Sequence, residues 1–386
     1  MRFVALVASA ILLALLAVLG VAVPASAQPA LPSSCGIAER APILAGDDVA
    51  STGVEAQVPV IVVHGWLGTA THDESRTGAF SHYVEHNDGT FSRSMIGVLQ
   101  SIPGAAVYTF DYRDLAARWV TDPGIGDSLA AAIQCLAAAS DERVVIVAHS
   151  MGGLAARQAL HTTIGGIATA DLVSDVVTFG TPNTGSVLAA ALARTVDVVD
   201  LLAPGGILVG SGLGLSALLQ LCGMSFTADA SVARGCSGVP TVDAFDSQAG
   251  AALRSGSVEI ESLPPWPEQV KVVALAGDVQ IPLLDVLGRL VGAAAAASGS
   301  SRTLSLGDIV VGTDSAEAGV DDRHVVTCTQ SLAEGFADSL CQHANLTRNP
   351  VLTAWAGASV AGAVRAELGI RSPKAAAHAP ARPTAS

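Results

Sequence analysis

Ser150 lies in Ala148-His149-Ser150-Met151-Gly152-Gly153, between the apolar run Val144-Val145-Ile146-Val147 and a helical pattern from Leu154 to Leu160. A buried strand, a sharp turn of small residues and a helix form the setting that lifts a serine hydroxyl out of a sheet as a nucleophile. The small residues at 148 and 152 let backbone crowd the turn. The peptide after the serine opens a helix, where developing negative charge is favoured. The usual string is Gly-x-Ser-x-Gly, and Ala148 stands at its first position. An incidental strand–helix turn is the competing reading.

A serine nucleophile needs a base, an orienting acid and oxyanion donors. His64-Gly65-Trp66-Leu67-Gly68 follows the apolar run Val58–Val63. A glycine-containing loop after an early strand can aim a backbone N–H at an oxyanion, so the expected donors are the amides of Trp66 and Met151. His64 is expected to hold that loop, because it lies far upstream of the serine and the expected chain order is Ser, Asp, His. Three later histidines are candidates for the base. His378 sits in the tail, His324 lies in a strand-like run, and His343 comes two residues after Cys341, which could clamp its loop. His343 is the favoured base, with His324 as the alternative. For the acid, Asp308 in Gly307-Asp308-Ile309-Val310-Val311 is favoured over Asp278, which is expected to end a strand, with Asp314 close behind. Any of these aspartates could instead be a turn or cap residue.

Gly180-Thr181-Pro182-Asn183-Thr184-Gly185 follows a candidate strand and is expected to shape the floor of the site, since sites in α/β sheets gather at strand C-termini. His72, Asp73, Glu74, His82, Glu85 and His86 form a polar cluster. His82 and His86 have helical i, i+4 spacing and could hold a metal. A solvated helix face is the preferred reading, so no metal or cofactor is expected. Asn345-Leu346-Thr347 matches a glycosylation sequon, but a glycan there would obstruct His343.

These residues need strands to carry them. Candidate strands are Val58–Val63, Ala105–Phe110, Val144–Ala148, Val176–Phe179 and Val270–Ala276, with His324–Cys328 last. Helical patterns lie near Phe91–Gln100, Ser128–Ala139 and Gly153–Thr162. Near-continuous Val/Ile runs indicate strands buried on both faces, hence an α/β protein with a mostly parallel central sheet flanked by helices. Residues 187–265 break the rhythm and are expected to form a cap or lid insertion; an Ala/Ser/Gly-rich stretch at 279–304 reads as a second insertion, and no internal repeat is found.

The chain has 386 residues, enough for one large core or two small ones. Residues 1–27 read as a secretory signal, with Arg2, an apolar stretch from Val4 to Val23 and Ala25-Ser26-Ala27 as cleavage site. An uncleaved anchor is the alternative. Residues 28–370 form the expected catalytic domain and 371–386 a disordered tail. The six cysteines suggest disulfides, and local spacing favours Cys222–Cys236 and Cys328–Cys341, leaving Cys35 to Cys135. A net charge of −14 disfavours nucleic acid and anionic membranes as partners.

Together these residues resemble the secreted bacterial lipases and esterases of the α/β-hydrolase superfamily. The resemblance rests on the 64–68, 148–153, 180–185 and 307–311 segments and on His343, and spans about residues 56–350, with 187–265 poorly matched. It implies the α/β-hydrolase fold with a cap or lid. It also implies that Ser150 attacks an ester carbonyl, His343 relays the proton and Asp308 fixes the imidazole, with the Trp66 and Met151 amides as oxyanion hole. Members often carry the acid in Asp-Gly-x-Val, and Ile309 stands here at that glycine. The implied activity is carboxylic-ester hydrolysis on acylglycerols by an exported enzyme, with an ester or lipid substrate and no stable membrane insertion after signal removal. Competing readings are an exported acyltransferase, a polyester depolymerase, a phospholipase and a non-catalytic wall or adhesion protein.

Overall fold

A computed structural model describes residues 31–47, 57–85, 91–186, 189, 247–282, 303–330 and 339–369. The signal expected at 1–27, most of the 187–265 insertion, the Cys222–Cys236 pair, His86 and the tail from 371, with His378, lie outside the described residues.

Along the chain, β1 (Ser34–Cys35) and β2 (Ala38–Arg40) precede β3 (Val58–Val63). A small hairpin, β4 (Val84–Glu85) with β5 (Phe91–Ser92), leads to α1 (Met95–Gln100) and β6 (Ala105–Phe110). Next come α2 (Gly126–Ser140), β7 (Val144–His149), α3 (Met151–Leu160), a hairpin of β8 (Thr163–Ile164) and β9 (Ile167–Ala168), and β10 (Val173–Phe179). The later elements are α4 (Gln248–Ala252), α5 (Val258–Ser262), β11 (Lys271–Pro282), β12 (Thr303–Ser305), α6 (Thr313–Glu317), β13 (Asp322–Thr329) and α7 (Pro350–Glu367).

Nine described strands form one sheet in the order β1-β2-β6-β3-β7-β10-β11-β12, with β13 also paired to β11. The β6, β3, β7, β10, β11 and β13 pairings are parallel, and β1, β2 and β12 join antiparallel. Every residue of β3, β6, β7 and β10 is buried. That follows from continuous Val/Ile runs in strands covered on both faces.

Alternation along each strand splits the core. Ile61 and Val63 face a layer with Leu129, Ile133 and Leu136 of α2 and Leu154 of α3. Val60 and Val62 face Met95, Ile96 and Leu99 of α1 and Leu352, Ala356 and Val360 of α7. The last helix is missing from the sequence reading, although its signs are there. Asn349 caps it by accepting from the N–H of Val351 and Leu352 at 3.0 and 3.2 Å, and Pro350 opens it.

Several expectations shift. Phe91 and Ser92 are strand, and the helix begins only after Ser94, whose hydroxyl caps it by accepting from Gly97 N–H at 2.9 Å. Residues 82–85 are not helical, so the helix face expected for His82 and Glu85 does not form; Val84 and Glu85 pair with β5 instead. Strand β11 runs on to Pro282, absorbing the first residues of the insertion expected at 279–304. Of the expected cap, residues 247–265 belong to the body, since Ala249, Ala252, Leu253, Ile260 and Leu263 are buried in the main core.

Two disulfides are present among the described residues, Cys35–Cys135 and Cys328–Cys341, and no described helix is long and apolar enough to cross a membrane. The first bond ties the N-terminal strand to α2. The second ties β13 to the segment just before His343.

Candidate active site

Ser150 is the single residue between β7 and α3, with φ 56° and ψ −130°. Such an angle is uncommon for a side-chain-bearing residue and needs close support. The support comes from neighbouring backbone and the Thr181 side chain. The Ser150 N–H donates to Phe179 O at 2.9 Å and the Thr181 hydroxyl donates to Ser150 O at 3.0 Å. A β-carbon on Gly152 would lie 2.3 Å from Val63 O, and one on Gly65 would lie 2.6 Å from the Ser150 Cβ. Only glycine allows these approaches. Ala148 is ordinary buried strand paired with Val63 and Thr178, so no glycine is needed at that position.

His343 begins a 3-10 turn, His343–Arg348, whose N-cap Gln342 side chain accepts from Ala344 N–H at 3.2 Å. The His343 ring bridges two partners: Nδ1 is 2.7 Å from Asp308 Oδ2, and Nε2 is 2.7 Å from Ser150 Oγ. An ionised carboxylate only accepts, so Nδ1 carries the proton and Nε2 is left to accept from the serine hydroxyl. Asp308 is fixed in turn. Its Oδ1 accepts from the N–H groups of Val310 and Val311 at 3.0 and 2.7 Å, and its own carbonyl accepts from the His343 N–H at 2.9 Å. Asp308 is 1% and His343 6% exposed, so the chain of contacts is shielded from bulk water. Ile309, beside Asp308, has φ 79°, the left-handed region that glycine enters most easily.

The 64–68 loop, expected to carry an oxyanion donor, is held by His64. Its Nδ1 donates to Gly65 O at 2.8 Å, its Nε2 accepts from Tyr112 N–H at 3.0 Å, and its ring stacks on Tyr112 at 4.0 Å. The Tyr112 hydroxyl donates to His64 O at 2.7 Å, and burial raises the pKa of that phenol. Trp66 follows Gly65, which packs on the nucleophile, and Met151 is the buried first residue of α3.

The 180–185 loop lies against Asp308 and His343. Gly180 has φ 57°, and a β-carbon there would lie 2.6 Å from Asp308 Oδ2 and 3.1 Å from His343 Nδ1. The alternative residues lie elsewhere. His324 pairs with Asp322 at 3.1 Å and stacks on Trp355 at 4.7 Å. Asp278 lies inside β11 rather than at its end, where it accepts from Ser305 Oγ, Gln280 Nε2 and Gly307 N–H. Asp314 is exposed in the first turn of α6.

His72 is buried 3.2 Å from Asp47, and no described group of His, Cys, Asp and Glu is arranged to hold a metal. Asn345 is buried and donates through its side chain to Ser339 O at 3.0 Å, which leaves no room for a glycan.

One residue of the site was not singled out in the sequence. The His149 Nε2 lies 2.9 Å from the His343 carbonyl, and the two rings are 4.8 Å apart. Burial, reinforced by the neighbouring His343, lowers the His149 pKa to about 3, so it is neutral at ordinary pH.

A family model described as PGAP1-like alpha/beta domain matches residues 129–198, the stretch carrying α2, β7, Ser150, α3 and β10. The match covers under a fifth of the chain; over the described residues the architecture is α/β, a mostly parallel sheet flanked by helices with the serine on a strand-to-helix turn. Solved structures similar to this chain include Bacillus licheniformis lipase BlEst2 in mature form, at 18% identity and TM-score 0.44, covering 82% of this chain and 96% of that one. A metagenomic carboxyl esterase, MGS0156, is 15% identical with TM-score 0.38, covering 86% and 88%. A proline iminopeptidase from Mycobacterium smegmatis is 11% identical with TM-score 0.38, covering 81% and 92%. No curated protein matches the chain.

Proposed function

We propose that this chain is an exported carboxylic-ester hydrolase of the α/β-hydrolase fold, acting on acylglycerols. The observation that carries this reading is the unbroken series of hydrogen bonds from Asp308 Oδ2 through both His343 ring nitrogens to Ser150 Oγ, 2.7 Å at each step. In the proposed reaction Ser150 Oγ attacks the ester carbonyl carbon while its proton passes to His343 Nε2. The carbonyl oxygen becomes an oxyanion, received by the N–H groups of Trp66 and Met151. Asp308 keeps the imidazole in the productive tautomer and faces the imidazolium that forms. Collapse of the intermediate breaks the ester C–O bond, and the alcohol leaves with the proton from Nε2. Water then repeats the sequence on the acyl-Ser150 ester, releasing the carboxylic acid. Two disulfides support export, because such bonds persist in oxidising compartments.

The test is fluorophosphonate treatment followed by peptide mapping, with turnover of a glyceride chain-length series. A single adduct on Ser150, and loss of turnover in a folded Ser150→Ala protein, is the expected result. An unlabelled protein, or undiminished turnover in that variant, overturns the reading.

A further inference from the structure

His149 precedes the serine on β7 and is not part of the proton path described above. It is nevertheless buried against the base. Its Nε2 lies 2.9 Å from the carbonyl oxygen of His343, and a carbonyl can only accept, so His149 is the donor. The His343 main chain is thereby held from both sides, since its N–H donates to Asp308 O at 2.9 Å.

The contact closes a small ring. His149 is covalently joined to Ser150, it bonds the His343 carbonyl, and the His343 ring returns to Ser150 Oγ at 2.7 Å. Asp308 sets how the imidazole is oriented. The His149 bond sets where the whole residue sits relative to the nucleophile, without passing through a third chain segment. The groups facing the ring pair are Asp308, Ser150 and, behind the oxyanion loop, His64.

We propose that His149 is the positioning residue for His343, holding the base at hydrogen-bond distance from Ser150 by donating Nε2–H to the His343 carbonyl. The inference rests on the catalytic reading of Ser150 and His343 and assigns a further residue to that reaction. A misplaced base slows proton transfer while leaving substrate binding alone, so the loss falls on kcat and not on KM.

Two substitutions separate the donor from the ring. His149→Phe keeps a buried ring and removes the N–H, whereas His149→Gln keeps an amide donor of similar reach and removes the ring. The readouts are kcat and KM on a soluble p-nitrophenyl ester, the rate of fluorophosphonate labelling, and amide hydrogen exchange over residues 341–348. For His149→Phe the expected result is a fall in kcat and labelling rate of about 10- to 100-fold, the range one buried hydrogen bond carries, with KM within about twofold. Exchange over 343–346 should quicken in the same protein. His149→Gln should regain most of both. Wild-type kcat in His149→Phe, or a Gln variant as slow as the Phe variant, overturns the proposal. Should His149→Phe not fold, His149→Leu gives the donor-free arm. A wild-type protein that takes no label on Ser150 sinks the catalytic reading itself, and the exchange comparison then still decides whether His149 holds the 343–346 segment: unchanged exchange overturns it.

Discussion

A β-carbon on Gly180 would lie 2.6 Å from Asp308 Oδ2, the oxygen that holds the His343 ring. The loop after β10 thus touches the acid and base without contributing a reacting group. It also sits at φ 57°, where an alanine costs about 1–2 kcal/mol. Gly180→Ala is therefore expected to lower the thermal midpoint modestly. It should lower kcat far more, by about 100-fold, because the carboxylate must move away from His343. Equal fractional losses in a stability assay and a rate assay would contradict this.

Asp308 and Asp278 were both candidates for the acid, and their surroundings predict opposite phenotypes. Asp308→Asn should cost about 10⁴-fold in kcat, since an amide stabilises the wrong imidazole tautomer. Asp278 pins β12 and the 305–307 turn to β11, through Ser305 Oγ at 2.6 Å and Gly307 N–H at 3.2 Å. Asp278→Asn should leave kcat near wild type and cost about 1 kcal/mol in urea unfolding. Steady-state rates beside unfolding curves check both.

The two disulfides should also separate stability from activity. Cys35–Cys135 closes a sequence separation of 100 residues and Cys328–Cys341 one of 13. Loop entropy assigns about 4.7 kcal/mol to a 100-residue loop and about 3 kcal/mol to a 15-residue one. Cys35→Ser with Cys135→Ser should therefore lower the thermal midpoint more, with kcat retained once folded. Cys328→Ser with Cys341→Ser should lower kcat more, because Cys341 stands two residues before His343. The reverse ranking would mean the short bond is structural only.

Acid should destabilise the fold through two buried histidines. Burial lowers the His149 pKa to about 3 and the His82 pKa to about 4, against 6.5 in the unfolded chain. Between those values the unfolded chain binds protons that the folded chain refuses, so stability falls as pH drops below 6.5. Asp47 joins only at lower pH: burial pulls its pKa up, but His72 and Arg76 hold it below the usual value. Urea unfolding should accordingly weaken from pH 6.5 towards 4, and His149→Phe should flatten that slope. A flat wild-type profile in this window would contradict buried neutral histidines.

The strands and the serine turn could be read from the sequence because continuous Val/Ile runs are sheet cores and the small residues at 148, 152 and 153 have few other uses. His343 could be singled out through chain order and the nearby Cys341. Other features depend on tertiary contact. The end of β11 depends on the returning 303–307 segment, which satisfies the Asp278 carboxylate while the strand continues to Pro282. His82 and His86 had helical spacing, but the pairing of Val84 with Ser92 overrides it. The last helix gives little signal because its Ala-rich sequence has no clear polar stripe, even though Leu352, Ala356, Val360 and Val364 keep one face buried. His149 offered no signal at all, since its partner carbonyl is 194 residues away in sequence.

Ser150 and Ile309 both occupy left-handed backbone, at φ 56° and 79°. The angle at Ser150 cannot be relaxed without withdrawing the hydroxyl from His343. At Ile309 the side chain packs against Val279, Ile281 and Cys341, so a glycine there would relieve a steric penalty of about 1–2 kcal/mol while giving up that packing. Strain beside Asp308 is thus offset by apolar contact and open to exchange, whereas strain at the serine is inseparable from the placement of its hydroxyl.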